Sequence, residues 1–255
     1  MSDAVPRPGT AAVLVVQHEE HCGAGRLEAS LCSAARLDVR RPDLGDPLPP
    51  DLAGYGGLVV LGGAVGVLDD GDAPWLPATR RLLADAVAAG LPTLGICLGA
   101  QMLAVATGGT VERGAAGLEA GVVALTLTPE AGTDPLLAPV RAACGEAPPV
   151  AQFHQDAVTR LPPGAVLLAS SERYPHQAFR VGAAAWGLQY HPEVTAADFA
   201  AWVHDGHRTV RGAGLDPAGL VASYTDAEPA PAAGATAHGG ALAALLGGRV
   251  GSPAG

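Results

Sequence analysis

Leu91-Pro92-Thr93-Leu94-Gly95-Ile96-Cys97-Leu98-Gly99-Ala100-Gln101-Met102-Leu103-Ala104 is the stretch that decides the fold. An apolar run from Leu91 to Leu94 leads into Gly95-Ile96-Cys97-Leu98-Gly99 and then into residues of helical character. A strand that ends in Gly-x-nucleophile-x-Gly and turns sharply into a helix holds one reactive side chain clear of the sheet, with backbone N–H groups pointing at it. The spacing therefore predicts that Cys97 is a nucleophile. A helix N-terminus carries partial positive charge, which favours an anionic sulfur and a developing oxyanion at the same place.

A base is needed as well. Gly187-Leu188-Gln189-Tyr190-His191-Pro192-Glu193 reads as a short strand carrying an imidazole and a carboxylate two residues apart, so both project to one side. Leu58-Val59-Val60-Leu61-Gly62-Gly63 is a third element, an apolar run ending in a glycine pair where backbone can approach a ligand closely. Taken singly, a cysteine in an apolar stretch is also a small buried hydrophobe, and His-Pro-Glu is also a strand end entering a turn. Together, the order is nucleophile, base, orienter.

From about Ala12 to about Val203 the chain resembles the class I glutamine amidotransferases, whose glutaminase domain carries a Cys-His-Glu triad. It is most similar to the stand-alone members related to the amidotransferase domain of GMP synthase. The stretches that carry this are Leu61-Gly62-Gly63-Ala64-Val65-Gly66-Val67 with Pro74-Trp75-Leu76, the Cys97 elbow, Phe153-His154-Gln155-Asp156, Gln177-Ala178-Phe179-Arg180, and Gly187 to Glu193. The resemblance implies a flavodoxin-like α/β fold and a catalytic triad of Cys97, His191 and Glu193. In that scheme Cys97 attacks the side-chain amide of glutamine to form a γ-glutamyl thioester. His191 passes a proton to the leaving ammonia and then activates water, and Glu193 orients His191. The oxyanion hole falls on the N–H groups of Gly63 and Leu98, and the substrate contacts on Gly62, Gln101 and the backbone near Gln152 and Phe153. Two positions depart from the family pattern. Ala64 replaces a proline in the glycine loop, which leaves φ there less fixed, and Gln155 stands where many relatives have glycine, so substrates other than free glutamine stay open.

Composition narrows the chemistry. The 255 residues, 49% of them hydrophobic, suffice for one large α/β domain with a substantial core. A formal charge of −10 argues against a general nucleic-acid or anionic-membrane binder, which leaves small molecules or a protein as partners. No apolar run is long enough for a membrane span and no signal pattern opens the chain, so the cytoplasm is the expected compartment. Cys22, Cys32 and Cys144 are too scattered for a disulfide framework and read as free thiols. The sequence contains no lysine, which excludes Schiff-base chemistry and a P-loop for ATP. No cofactor is implied. Ammonia delivered to an acceptor needs an activating site on another polypeptide.

Apolar strands alternate with helices, which predicts an open, mostly parallel central sheet with helices on both faces. Expected strands are Ala12 to Val16, Leu58 to Leu61, Thr93 to Ile96, Val122 to Leu127, Val150 to Phe153, Val166 to Ser170, Ala178 to Val181 and Trp186 to Tyr190. Expected helices are Arg26 to Leu37, Thr79 to Ala89 and Ala100 to Thr107. The amidotransferase domain is read as residues 10–205, with its triad at the carboxyl ends of the strands. Residues 206–255 read as a largely flexible Ala/Gly/Pro-rich extension, with a linker over Ala227 to Gly240 and a short helix over Ala241 to Leu246. Trimming after Thr225 is accordingly expected to leave the chemistry intact.

Other polar clusters have ordinary explanations. His18-Glu19-Glu20-His21-Cys22 lacks the histidine spacing of a zinc helix. Asp69-Asp70-Gly71-Asp72 lacks the closing glutamate of a calcium loop, and His204 with His207 fits a solvated helix face. No metal site is expected. His154 and Asp156 lie beside the presumed substrate strand, where positioning that loop is the expected role. Three functions stay open: a glutaminase feeding a separate synthetase, a stand-alone hydrolase of γ-glutamyl amides or peptides, and a non-catalytic binding protein on the same scaffold.

Overall fold

Apolar runs without alternation form strands buried on both faces, and the first strand among the described residues is of this kind. The computed structural model describes residues 11–247, so the first residue assigned to the domain and the last eight of the extension lie outside it. Strand β1 (Ala12–Val16) is buried along its whole length. A 3-10 turn leads into α1 (Glu28–Ala34), followed by β2 (Leu37–Arg40) and β3 (Tyr55–Val60). The helix expected to reach Leu37 stops at Ala34, because Ala35 is extended and Leu37 belongs to β2, paired in parallel with β1. Helix α2 (Leu76–Ala88) starts a turn earlier than expected, with Pro77 in its first turn, where a missing N–H costs nothing. Next come β4 (Thr93–Ile96) and α3 (Leu98–Ala106).

The remainder of the chain alternates short strands and helices: β5 (Thr110–Arg113), β6 (Glu119–Ala124), β7 (Thr126–Leu127), α4 (Leu137–Cys144), β8 (Pro149–His154), β9 (Asp156–Arg160), β10 (Val166–Ser170), β11 (Ala178–Val181) and β12 (Ala185–Leu188). The run expected as one strand over Val122 to Leu127 is split between two sheets, since β6 pairs with β8 and β7 with β10. The main sheet has eight strands in the order β2-β1-β3-β4-β12-β11-β10-β7. Pairing is parallel from β2 to β12 and antiparallel from there to the β7 edge. Smaller pairs β5-β9 and β6-β8 stand outside it.

Alternate strand residues feed two cores. Val13, Val15, Val59 and Trp186 pack with Leu31 of α1 and Val140 of α4, whereas Leu14, Val16, Leu58 and Val60 pack with α2 and α3. Helices thus cover both faces, as the alternation predicts.

The C-terminal region corrects the sequence expectation. After α5 (Ala196–Asp205) come α6 (His207–Gly212), α7 (Pro217–Ala227) and α8 (Pro229–Gly247). Helix α8 packs against α1, α4 and β8, and its Ala241, Leu242 and Leu246 belong to the same core as β1 and β12. The stretch read as a linker is therefore a packed helix. Its prolines, Pro229 and Pro231, sit in the first turn, where they are tolerated, and alanine is the strongest helix former. No helix among the described residues is long and apolar enough to cross a membrane.

Candidate active site

Cys97 caps the junction of β4 and α3 with φ 50° and ψ −106°, and it is the one non-glycine residue with positive φ among the described residues. Holding a residue there costs on the order of 1–3 kcal/mol and persists only where the surroundings over-determine it. The surroundings do so. Leu188 accepts from the Cys97 N–H at 2.7 Å, and a Cβ on Gly99 would lie 2.0 Å from the Val60 carbonyl oxygen. Only a glycine lets the start of α3 sit this close to β3. The N–H of Leu98, in the first turn of α3, has no i−4 carbonyl within the helix and remains available beside the thiol.

His191 follows β12, and its backbone N–H donates to Ala151 of β8 at 2.9 Å. Its Nδ1 lies 2.7 Å from Glu193 Oε1, both side chains are buried, and the indole of Trp202 packs 4.5 Å from the imidazole. Burial works against a charge on this ring, but the Glu193 carboxylate and Cys97 outweigh it and raise His191 to about 10. The imidazole, held as a cation with Nδ1–H on Glu193, turns its other edge to the sulfur.

The glycine loop closes the third side. A Cβ on Gly62 would lie 3.2 Å from His191 Cε1 and 3.7 Å from Cys97 Cβ, and one on Gly63 would lie 3.0 Å from Leu98 Cδ2. The loop backbone thus runs directly over the thiol and imidazole.

A pocket of about 600 Å3 opens on Cys97 and His191 and is lined also by Gly63, Gln101 and Phe153. Gln101 donates through Nε2 to the Asp156 carbonyl at 2.9 Å and to Gln189 Oε1 at 3.2 Å. Gln152 is placed differently. Its side chain is buried beneath the pocket and donates to Gln177 Oε1 at 2.9 Å, so only its backbone stays on the β8 strand that borders the site. Gln177 in turn donates to Glu119, which also accepts from Ser171 at 2.7 Å and faces His154 Nε2 at 3.1 Å. His154 Nδ1 is directed at the Asp156 carbonyl at 3.0 Å, so the ring ties the start of β9 to Glu119 of β6. Asp156 pairs with Arg113 at the rim.

Sequence reading did not single out Gln189, whose Nε2 approaches Cys97 Sγ at 3.6 Å. The period of two that picks His191 and Glu193 also picks Gln189, so the signal was present. Trp202 had no such signal, because α5 reaches the site only through the fold. Cys22, expected as a free thiol, is free and lines the same pocket, donating to Glu19 Oε1 at 3.0 Å. Burial and the neighbouring Glu19 push this thiol up, which keeps it protonated. His18 accepts from Trp75 Nε1 at 3.1 Å and is lowered to about 4 by burial.

The family described as Glutamine amidotransferase class-I matches residues 37–206. Among curated proteins, GMP synthase [glutamine-hydrolyzing] of Porphyromonas gingivalis is 36% identical over 149 residues, covering 58% of this chain and 26% of that protein. The protein of the same name from Thermus thermophilus is 41% identical over 138 residues, covering 54% of this chain and 24% of that protein. The chain thus spans about a quarter of the length of these relatives. Among solved structures, a glutamine amidotransferase from Thermotoga maritima superposes with a TM-score of 0.76 at 28% identity, covering 95% of this chain and 99% of that one. A glutamine amido transferase from Methylobacillus flagellatus gives 0.76 at 27% identity, covering 96% and 97%.

Proposed function

Because this chain belongs to the class I glutamine amidotransferases, we propose that it hydrolyses the side-chain amide of glutamine through Cys97. The observation that carries this reading is the strained Cys97 at a helix N-terminus, facing a buried His191–Glu193 pair. Sγ of Cys97 attacks the amide carbon, and the oxygen takes up negative charge within reach of the Leu98 and Gly63 N–H groups. His191, cationic at the start, gives its proton to the departing nitrogen, so ammonia leaves and a γ-glutamyl thioester remains. Neutral His191 then takes a proton from water as that water attacks the thioester, and glutamate is released. Glu193 keeps Nδ1–H fixed so that Nε2 exchanges the proton in both halves.

In this reading residues 10–205 carry the chemistry, in the cytoplasm, and the ammonia passes to an acceptor site on a separate chain. A synthetase partner is supported by the name of the relatives, which the chain matches over about a quarter of their length. A second reading, hydrolysis of larger γ-glutamyl amides, is favoured by the pocket of about 600 Å3 with Gln155 on its wall, a volume in the range that holds ligands larger than one amino acid.

The test is release of glutamate and ammonia from L-glutamine beside a γ-glutamyl dipeptide, with Cys97→Ala as control. Cys97-dependent turnover of glutamine supports the first reading and a preference for the dipeptide the second. Turnover that persists in Cys97→Ala removes both.

A further inference from the structure

Six hydrogen bonds fix the segment that carries His191 and Glu193. Two come from the body of the domain or the segment itself: the His191 N–H to Ala151 and the Nδ1 to Glu193. Two more come from the turn before α1, where Arg26 N–H donates to the Glu193 carbonyl at 2.8 Å and its Nε to the Val194 carbonyl at 3.1 Å. That turn is built for close approach. Gly25 has φ +46°, and a Cβ there would lie 2.2 Å from the Glu193 oxygen.

The other two come from the C-terminal helices, beyond residue 206. Glu228, at the junction of α7 and α8, pairs with the Arg26 guanidinium and accepts the Ala196 N–H at 3.1 Å. In α8, His238 directs Nδ1 at the Gly234 carbonyl at 2.8 Å, which leaves Nε2 bare to accept from the Tyr190 hydroxyl at 2.8 Å. Both side chains are almost fully buried, and Tyr190 is the residue immediately before His191. A phenol in that setting stays protonated, since burial pushes it up, and it has His238 as its acceptor.

We infer that α7 and α8 form a strap that positions the His191–Glu193 segment, with Tyr190, His238 and Glu228 as its positioning residues. The inference rests on the proposed thiol chemistry. The strap grips the segment at residue 190 on one side and at 193–196 on the other, so the imidazole between them cannot shift relative to Cys97 without breaking a buried hydrogen bond. A displacement of about 1 Å at a reacting group costs up to about 100-fold in rate, so the strap acts on chemistry and not only on stability.

Alkylation of Cys97 by iodoacetamide, followed by mass spectrometry of the peptide containing it across pH 5–11, reads the sulfur–imidazole pair without any partner chain. Tyr190→Phe, His238→Leu and His238→Gln are compared with the unaltered protein, each at temperatures below its measured melting point. The expected result is that Tyr190→Phe and His238→Leu slow Cys97 alkylation at pH 7 by about tenfold while leaving the rate at pH 11, where a thiol ionises without an imidazole, nearly unchanged. His238→Gln, which keeps an acceptor, stays within about twofold of the unaltered protein. Lower melting points with an unaltered alkylation profile would show a merely structural contact and overturn the strap. If His238→Leu does not fold, Tyr190→Phe, which removes a single oxygen, decides alone. Should Cys97 in the unaltered protein react no faster than the exposed Cys32, with an ordinary thiol profile, the proposed catalytic chemistry falls and not merely the strap.

Discussion

At the scale of single residues, the site is held by atoms that leave no room for substitution. Gly99→Ala places a methyl group against the Val60 carbonyl, a clash with backbone that no rotamer relieves. We expect a loss of more than about 3 kcal/mol, read as a fall in melting temperature, and an unchanged melt would show that α3 can slide. Glu193→Gln should keep the shape but remove the charge that raises His191. The expected outcome is a fall in kcat of about 100-fold or more with the alkaline limb of the pH profile moved to lower pH. A profile with its alkaline limb unmoved would show that Glu193 does not set the protonation of His191.

Elements have their own lesson, in α8. Its composition suggested a chain too poor in apolar surface to order, yet Leu242 and Leu246 are buried and Gly239 lets the helix approach Ser30 closely. Each buried leucine contributes about 2 kcal/mol, and removal of α8 would also uncover Tyr190 and Leu27. Truncation after Glu228 is therefore expected to destabilise the protein by several kcal/mol and to lower activity, contrary to the expectation for a linker. Full stability and turnover in that truncation, measured by denaturant titration and glutamate release, would restore the linker reading.

For the whole molecule, three buried histidines set the dependence of stability on pH. His18 and His238 are lowered to about 4, chiefly by burial. Between pH 6.5 and 4 the unfolded chain binds the protons that these two refuse, so stability rises with pH across that window. His238 faces the Tyr190 hydroxyl and the Gly234 carbonyl, and His18 feels Asp43. His191, raised to about 10, has the opposite sign: its contribution is complete below pH 6.5 and is lost as pH climbs through 10. At Glu119 burial, the largest single influence, pushes the carboxyl up, but His154, Ser171 and Gln177 together outweigh it and hold it below the ordinary carboxylate range, which adds a further loss as pH falls. Thermal melts from pH 4 to 10 should peak near pH 6.5, with the acid side flattened in His238→Gln and the alkaline side in His191→Gln. A flat curve would mean that these side chains gain solvent in solution.

The sequence determined the sheet-and-helix alternation, the Cys97 elbow and the pairing of His191 with Glu193, because each is local: a period of two, a glycine spacing, an apolar run. These patterns act over a few residues, and the backbone obeys them wherever they occur. Tertiary structure alone decided that Trp202 and Cys22 share the pocket, that the Gln152 side chain turns away from it, and that α8 is packed helix rather than linker. Those outcomes depend on which surfaces meet. An alanine- and glycine-rich segment is ordered only when a partner face offers close contact, and the face offered by α1, α4 and β8 exists only once the sheet has formed.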